Sequence, residues 1–227
     1  MTELAALYPF LEPARGDPAS VLADVTRSTA EKIEEIGRLR TAVAEEQGAR
    51  LAACATAMAE RFASGGRLYT FGNGGSSTDA AAIAALFVAP GPGHRPLPAV
   101  SLTDDIATLT ALANDVGFEV VFARSLAAAA RPGDVALGLS TSGGSANVLR
   151  GFATARERGL LTVGLAGYAG GPMAEAAARG EIDHLFVMPS SSVHRIQEAQ
   201  TTVYHVLWEL TQQALAATSE STAATAR

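Results

Sequence analysis

Two rhythms of apolar and polar positions run along this chain. Between 21 and 47, Val21, Leu22, Val25, Ile33, Ile36, Leu39 and Val43 recur near helical spacing among charges, which predicts a helix broken at Gly48. A second helix is expected over 49–63, stopped by Ser64-Gly65-Gly66. Short apolar, β-branched runs then follow at 68–71, 97–102, 135–139, 161–166 and 184–188, with helical patterns between them. Strands alternating with helices in this way predict an α/β fold on a parallel sheet. A short helix is expected through Ala113, a turn over 114–118, and a final helix over 193–217. Pro9, Pro13, Gly16 and Pro18 make residues 1–20 an irregular lead-in, and the Ser, Thr and Ala of 218–227 form a frayed tail. One domain over 21–217 is therefore expected.

Two of the strand-to-helix junctions carry chemistry. The first passes from Leu68-Tyr69-Thr70-Phe71 through Gly72-Asn73-Gly74-Gly75-Ser76-Ser77-Thr78-Asp79 into an alanine-rich helix. A helix start leaves N–H groups unpaired and carries partial positive charge, so it holds anions, and the glycines let backbone approach a ligand. The loop has neither the Gly-Lys-Ser/Thr ending of a Walker loop nor Rossmann glycine spacing. At the second junction the 135–139 strand runs into Ser140-Thr141-Ser142-Gly143-Gly144-Ser145, with four hydroxyls in six residues. In a parallel sheet both loops fall on the same carboxyl edge, where ligands bind at a switch in strand order. A phosphate is the expected guest.

Composition narrows the ligand and the setting. Net charge is −6, which argues against a nucleic-acid surface built on bulk positive charge, so a phosphate has to be met by local donors. Apolar runs are interrupted well before the roughly 20 residues of a membrane span, and no basic segment precedes an apolar stretch at the N-terminus; a cytoplasmic protein is expected. Cys54 is the single cysteine and cannot form an intrachain disulfide; it is read as a small buried residue. His94 is read as solvent-facing and His184 as structural. In the last helix Gln197, Thr201 and His205 share a face at i, i+4 spacing.

Taken together and in this order, GNGGS at 72–76 with Asp79, AND at 113–115, STSGGSANVL at 140–149, and RIQEAQ followed by His205 are similar to the sugar isomerase (SIS) domain family. Within it they look most like phosphoheptose isomerases, which interconvert sedoheptulose 7-phosphate and glycero-manno-heptose 7-phosphate. The resemblance covers about residues 21–215. It implies a three-layer αβα sandwich, flavodoxin-like, with a five-stranded parallel sheet, and a homotetramer joined by the N-terminal helices. It implies that Ser140, Thr141, Ser142 and Ser145 bind phosphate, and that Asn73, Gly74, Gly75 and Ser76 contact substrate. By the same resemblance Asn114 and Asp115 face the sugar, and Gln197 and His205 face the site.

The sequence departs from that family in the helix after the glycine loop. There the family reads GNGGSxxDAxHFAxE, whose His and Glu complete a metal site with the Gln and His of the last helix, the Glu also moving the proton. This chain has Ala82 and Leu86 at those positions. Loss of the zinc site is expected, with no metal and no other cofactor, because Gln197 and His205 alone are too few ligands. His194 and His205 are the candidate acid/base residues in its place, since an imidazole titrates in the useful range. Three readings follow: an isomerase with altered catalytic residues, a sugar-phosphate-binding regulatory or assembly protein, like the relative that binds the replication initiator, or an enzyme for another phosphosugar.

Overall fold

A computed structural model describes residues 17–225. The expected lead-in over 1–16 and residues 226 and 227 of the expected tail lie outside the described residues. The chain divides into two compact units, Met1–Arg38 and Leu39–Arg227. In the first unit the described residues open the helix α1 (Pro18–Ala63). Proline suits a helix start, having no N–H to leave unpaired, so helix begins inside the stretch expected to be irregular. Val21, Leu22, Val25 and Ile33 are exposed along it. Arg27 pairs with Asp24 at 2.7 Å, and Arg38 with Glu34 at 3.7 Å, all exposed and so contributing little.

The expected break at Gly48 does not occur, and α1 is one helix. A helical glycine costs only about 1 kcal/mol relative to alanine. Continuity is used on both sides of it. Gln47 exchanges two hydrogen bonds with Val187, donating Nε2 to its carbonyl at 2.7 Å and accepting its N–H at 3.1 Å. Arg50 donates to the Leu185 carbonyl. These side chains satisfy the free backbone of an edge strand, which would otherwise invite pairing with another chain.

That strand is β5 (His184–Met188) of a five-stranded parallel sheet in the order β2-β1-β3-β4-β5, with β1 Leu68–Gly72, β2 Ala99–Ser101, β3 Val135–Ser140 and β4 Leu161–Gly167. The expected strands are all present. Between them lie α2 (Gly75–Val88), α3 (Ile106–Asp115), a 3-10 turn (Phe118–Val120), α4 (Val121–Ala129), α5 (Ala146–Glu157) and α6 (Gly171–Ala178). The last helix, α7, runs Val193–Thr225, further than the expected end at 217. Asn114 and Asp115 close α3 instead of opening a turn.

Helices cover both faces, so β1, β3 and β4 are buried at every position and read as unbroken apolar runs. Successive side chains alternate between the faces. Tyr69 and Phe71 point into a core with Phe122, Leu126, Val148, Phe152 and Met173. Phe71 meets the rings of Phe122 and Phe152 at 5.3 Å each, directly beneath the loop that β1 feeds. On the other face α2 packs along α7, and Phe87 stacks on Phe62 of α1 at 5.6 Å. No helix among the described residues is long and apolar enough to cross a membrane.

Candidate functional site

Strand order reverses between β1 and β3: the chain leaves β1 toward β2 and returns through α3 and α4 to β3 on the other side. The loops after β1 and β3 therefore flank the crevice where ligands bind in open parallel sheets. The structure ties these loops together. Asn73 Nδ2 donates to Asn147 Oδ1 at 2.8 Å, and Asn147 Nδ2 donates to Asn73 Oδ1 at 2.9 Å. Asn147, nearly fully buried, lies in the first turn of α5.

The hydroxyl loop is assembled as expected from its sequence. Ser140 Oγ lies 2.9 Å from Ser145 Oγ and 3.4 Å from Ser142 Oγ, and Ser142 Oγ accepts the Gly144 N–H at 3.2 Å. Ser145 occupies the N-cap of α5, yet its side chain caps nothing within the helix and turns toward Ser140 instead. The first amides of α5 thus stay available above three converging hydroxyls. Gly143 holds this loop against the one after β4. It has φ +66°, its carbonyl accepts the Met173 N–H at 2.9 Å, and a Cβ there would lie 1.9 Å from the Gly170 carbonyl oxygen. In that second loop Tyr168 sits at φ +51°, where non-glycine residues are uncommon.

The glycine loop meets α7 at Gly75. A Cβ on Gly75 would lie 2.4 Å from Gln197 Nε2, so only glycine lets the amide come this close. Ser76 is buried, while Ser77 and Thr78 turn their hydroxyls back onto the Gly74 and Gly75 carbonyls at 2.6 and 2.8 Å. Gln197 Nε2 also donates to Asp79 Oδ2 at 3.3 Å. Burial pushes the Asp79 carboxyl above the usual aspartate range, and the Gln197 hydrogen bond only partly opposes this. Tyr204 is buried one helical turn past Gln200. Its phenol is held above the ordinary value mainly by burial, against a hydrogen bond with Thr201 and with a smaller push from the Asp79 charge.

Other expected residues are placed differently. His194 and His205 are both exposed and eleven positions apart on α7, a rise of about 16 Å, so one chain does not bring them together as an acid/base pair on one carbon. His205 Nδ1 lies 2.8 Å from the Thr201 carbonyl, and its ring stacks on Tyr204 at 4.8 Å. Asn114 and Asp115 are exposed, with Asn114 Nδ2 donating to Asp115 Oδ1 at 2.8 Å. His94 is exposed as expected, with its ring 4.7 Å from that of Trp208. Burial lowers the affinity of His184 for a proton.

The donor set does not fit a metal ion. Ala82 and Leu86 carry no donor atoms, and the Gln197 amide is turned toward Asp79. Among the described residues no three His, Cys, Asp or Glu side chains cluster closely enough to hold one. Sequence reasoning did not single out the Asn147 pairing, Tyr204 or the contact of Asp79 with Gln197. Asn147 follows the serine loop in the same motif, and the spacing of Gln197 and Thr201 on α7 pointed to the face that Asp79 meets.

Residues 33–167 match the SIS domain family. The chain is 41% identical over 191 residues to the phosphoheptose isomerase of Roseiflexus sp. (strain RS-1), covering 84% of this chain and 94% of that protein. It is 40% identical over 188 residues to the phosphoheptose isomerase of Aquifex aeolicus (strain VF5), covering 81% and 96%. Among solved structures, the phosphoheptose isomerase of Neisseria gonorrhoeae superposes with a TM-score of 0.76 at 31% identity, over 83% of this chain and 99% of that one. That of Francisella tularensis gives 0.77 at 28%, over 83% and 98%.

Proposed function

The chain belongs to the SIS domain family, and from that premise we infer that it binds a sugar phosphate at the β1/β3 crevice and interconverts its aldose and ketose forms as a phosphoheptose isomerase, with sedoheptulose 7-phosphate the leading substrate. The observation that carries this reading is the likeness to phosphoheptose isomerases over nearly their whole length. The joined loops support it. Ser140, Ser142 and Ser145, with Thr141 beside them and the α5 amides above, form a neutral cradle suited to a phosphate in an acidic protein. Asn73, Gly74, Gly75 and Ser76 border the sugar chain that leaves it, and Gln197 closes the far side.

The reaction moves a proton between neighbouring carbons while the two oxygens exchange roles. It needs a base at carbon and a proton donor at oxygen. His205, which shares a face of α7 with Gln197 and Thr201, is the candidate donor, and Asn114 and Asp115 are candidate sugar contacts. No metal or other cofactor takes part in this reading, because the residues present do not supply its ligands. The protein is read as cytoplasmic. The exposed Val21, Leu22, Val25 and Ile33 of α1 support an assembly of copies, a tetramer in this reading, and the domain is taken to run over 21–217.

Ala82 and Leu86 favour a second reading, a sugar-phosphate-binding protein without turnover, because they remove an imidazole and a carboxylate from the α2 face next to α7. The test is turnover of sedoheptulose 7-phosphate by chelator-treated protein in D2O, followed by NMR. Product carrying deuterium beside the carbonyl is the expected result. Saturable binding by calorimetry without product or exchange would overturn the isomerase and leave the binding protein.

A further inference from the structure

Asp79 occupies a position that its place in a helix does not require. It lies in the second turn of α2, is drawn partly out of solvent, and accepts from Gln197, the side chain that lies over Gly75 of the glycine loop. The hydrogen bond uses Oδ2. Oδ1 has none among the described residues. Other carboxylates are engaged differently: Glu198 is paired with Arg195, and Asp115 accepts from Asn114 at the exposed end of α3.

We propose that Asp79 is the base of the isomerisation inferred above, taking the proton from the carbon beside the sugar's carbonyl and returning it to the neighbouring carbon. The proposal rests on that reading. The steps balance without an oxidant or reductant. As Oδ1 takes the proton, the C–H electron pair becomes the double bond of an enediol, and the carbonyl oxygen takes a proton from the donor, read above as His205. The neighbouring hydroxyl then gives its proton back to that donor, its oxygen becomes the new carbonyl, and Asp79 delivers its proton to the former carbonyl carbon. Gln197 holds the carboxylate by one oxygen and leaves the other to act.

The surroundings suit such a base. Burial raises the Asp79 pKa toward working pH, where a carboxylate accepts a proton from carbon more effectively. Of the elements packed on α2, the strands β1, β2 and β3 carry no charged side chain. From α7 the Tyr204 phenol and the Gln197 amide face it, the phenol feeling its charge. Among the described residues no cation pairs with the group, so its proton affinity stays high.

The experiment is steady-state turnover and deuterium wash-in with sedoheptulose 7-phosphate for the full chain and for Asp79→Asn and Asp79→Glu, with affinity for the same sugar by calorimetry. Asp79→Asn is expected to lower kcat and wash-in together by about 10²–10⁴-fold while affinity changes by less than about threefold. Asp79→Glu is expected to recover part of the rate. The natural protein should show an acid limb in kcat/KM above the usual aspartate range, absent from the residual activity of Asp79→Asn. Turnover in Asp79→Asn within threefold of the natural protein overturns the proposal alone. Should that variant not fold, a natural protein without the limb overturns it. Absence of turnover in the natural protein overturns the isomerase reading and the proposal with it.

Discussion

Replacing Gly143 by alanine tests the packing on which the hydroxyl cradle depends. Gly143 has φ +66°, a left-handed conformation that costs an L-residue with a Cβ roughly 1–2 kcal/mol. The new Cβ would also lie 1.9 Å from the Gly170 oxygen and 2.6 Å from its carbonyl carbon, both backbone atoms that no rotamer change can move. The loops must part by more than an ångström, which breaks the 2.9 Å bond from the Met173 N–H to the Gly143 carbonyl, a further loss of about 1 kcal/mol. Together these give about 2–3 kcal/mol. For a chain of this size that lowers Tm by about 4–12 °C. Gly144 supplies the control one residue away: its φ is not positive, and the nearest atoms to a Cβ there lie 3.7 Å off, in ordinary contact. Gly144→Ala is expected to change stability by less than about 1 kcal/mol. The assay is urea unfolding of both variants, with calorimetric titration of inorganic phosphate. Gly143→Ala should also weaken phosphate binding, because Ser142 and Ser145 flank the displaced segment. Equal losses in the two variants, or a Gly143→Ala loss under 1 kcal/mol, would refute the close approach of the two loops.

Asn147→Ala leaves the Asn73 amide without its partner and should destabilise by about 1–3 kcal/mol; a double-mutant cycle with Asn73→Ala that shows no coupling energy would contradict the pairing. Tyr168→Asn places a residue that tolerates positive φ at φ +51° and should stabilise by up to about 1 kcal/mol, read as a higher urea midpoint. Burial pushes the Cys54 thiol up to about 12, so a thiol reagent at pH 8 should label it no faster than the chain opens; rapid labelling of native protein would sink that expectation. Because the raised Asp79 pKa means the folded state holds a proton that the unfolded chain has released, stability falls as pH rises from the unfolded aspartate value through the folded one. Asp79→Asn lacks that loss, so its stability relative to the natural protein should improve with pH across this window, and parallel pH curves would count against it.

The strands and the two junctions could be read from the sequence because each is a local signal: a short apolar run, then glycine or serine, then helical periodicity. Gly48 misled for the same reason. A local rule sees a helix breaker there, whereas the helix is held through it by Gln47 and Arg50 bonding to a strand far along the chain. The serine cradle was readable because its hydroxyls lie within one loop. Asp79 was not, since its meaning depends on Gln197, which approaches from α7 more than a hundred residues later. How far His194 lies from His205 was likewise not part of the periodic signal, because residues along one helix separate by about 1.5 Å at every step.

The reciprocal amide pair between Asn73 and Asn147 uses one N–H and one oxygen lone pair of Asn73 and leaves it a second of each. Under the proposed reading a sugar hydroxyl that meets Asn73 therefore finds a donor and an acceptor whose directions are already fixed, and no bond within the protein has to break. The amide is ordered before the guest arrives, and a hydroxyl placed elsewhere meets a side chain that cannot turn toward it without giving up its bonds to Asn147. The latch thereby selects guests by where their hydroxyls lie.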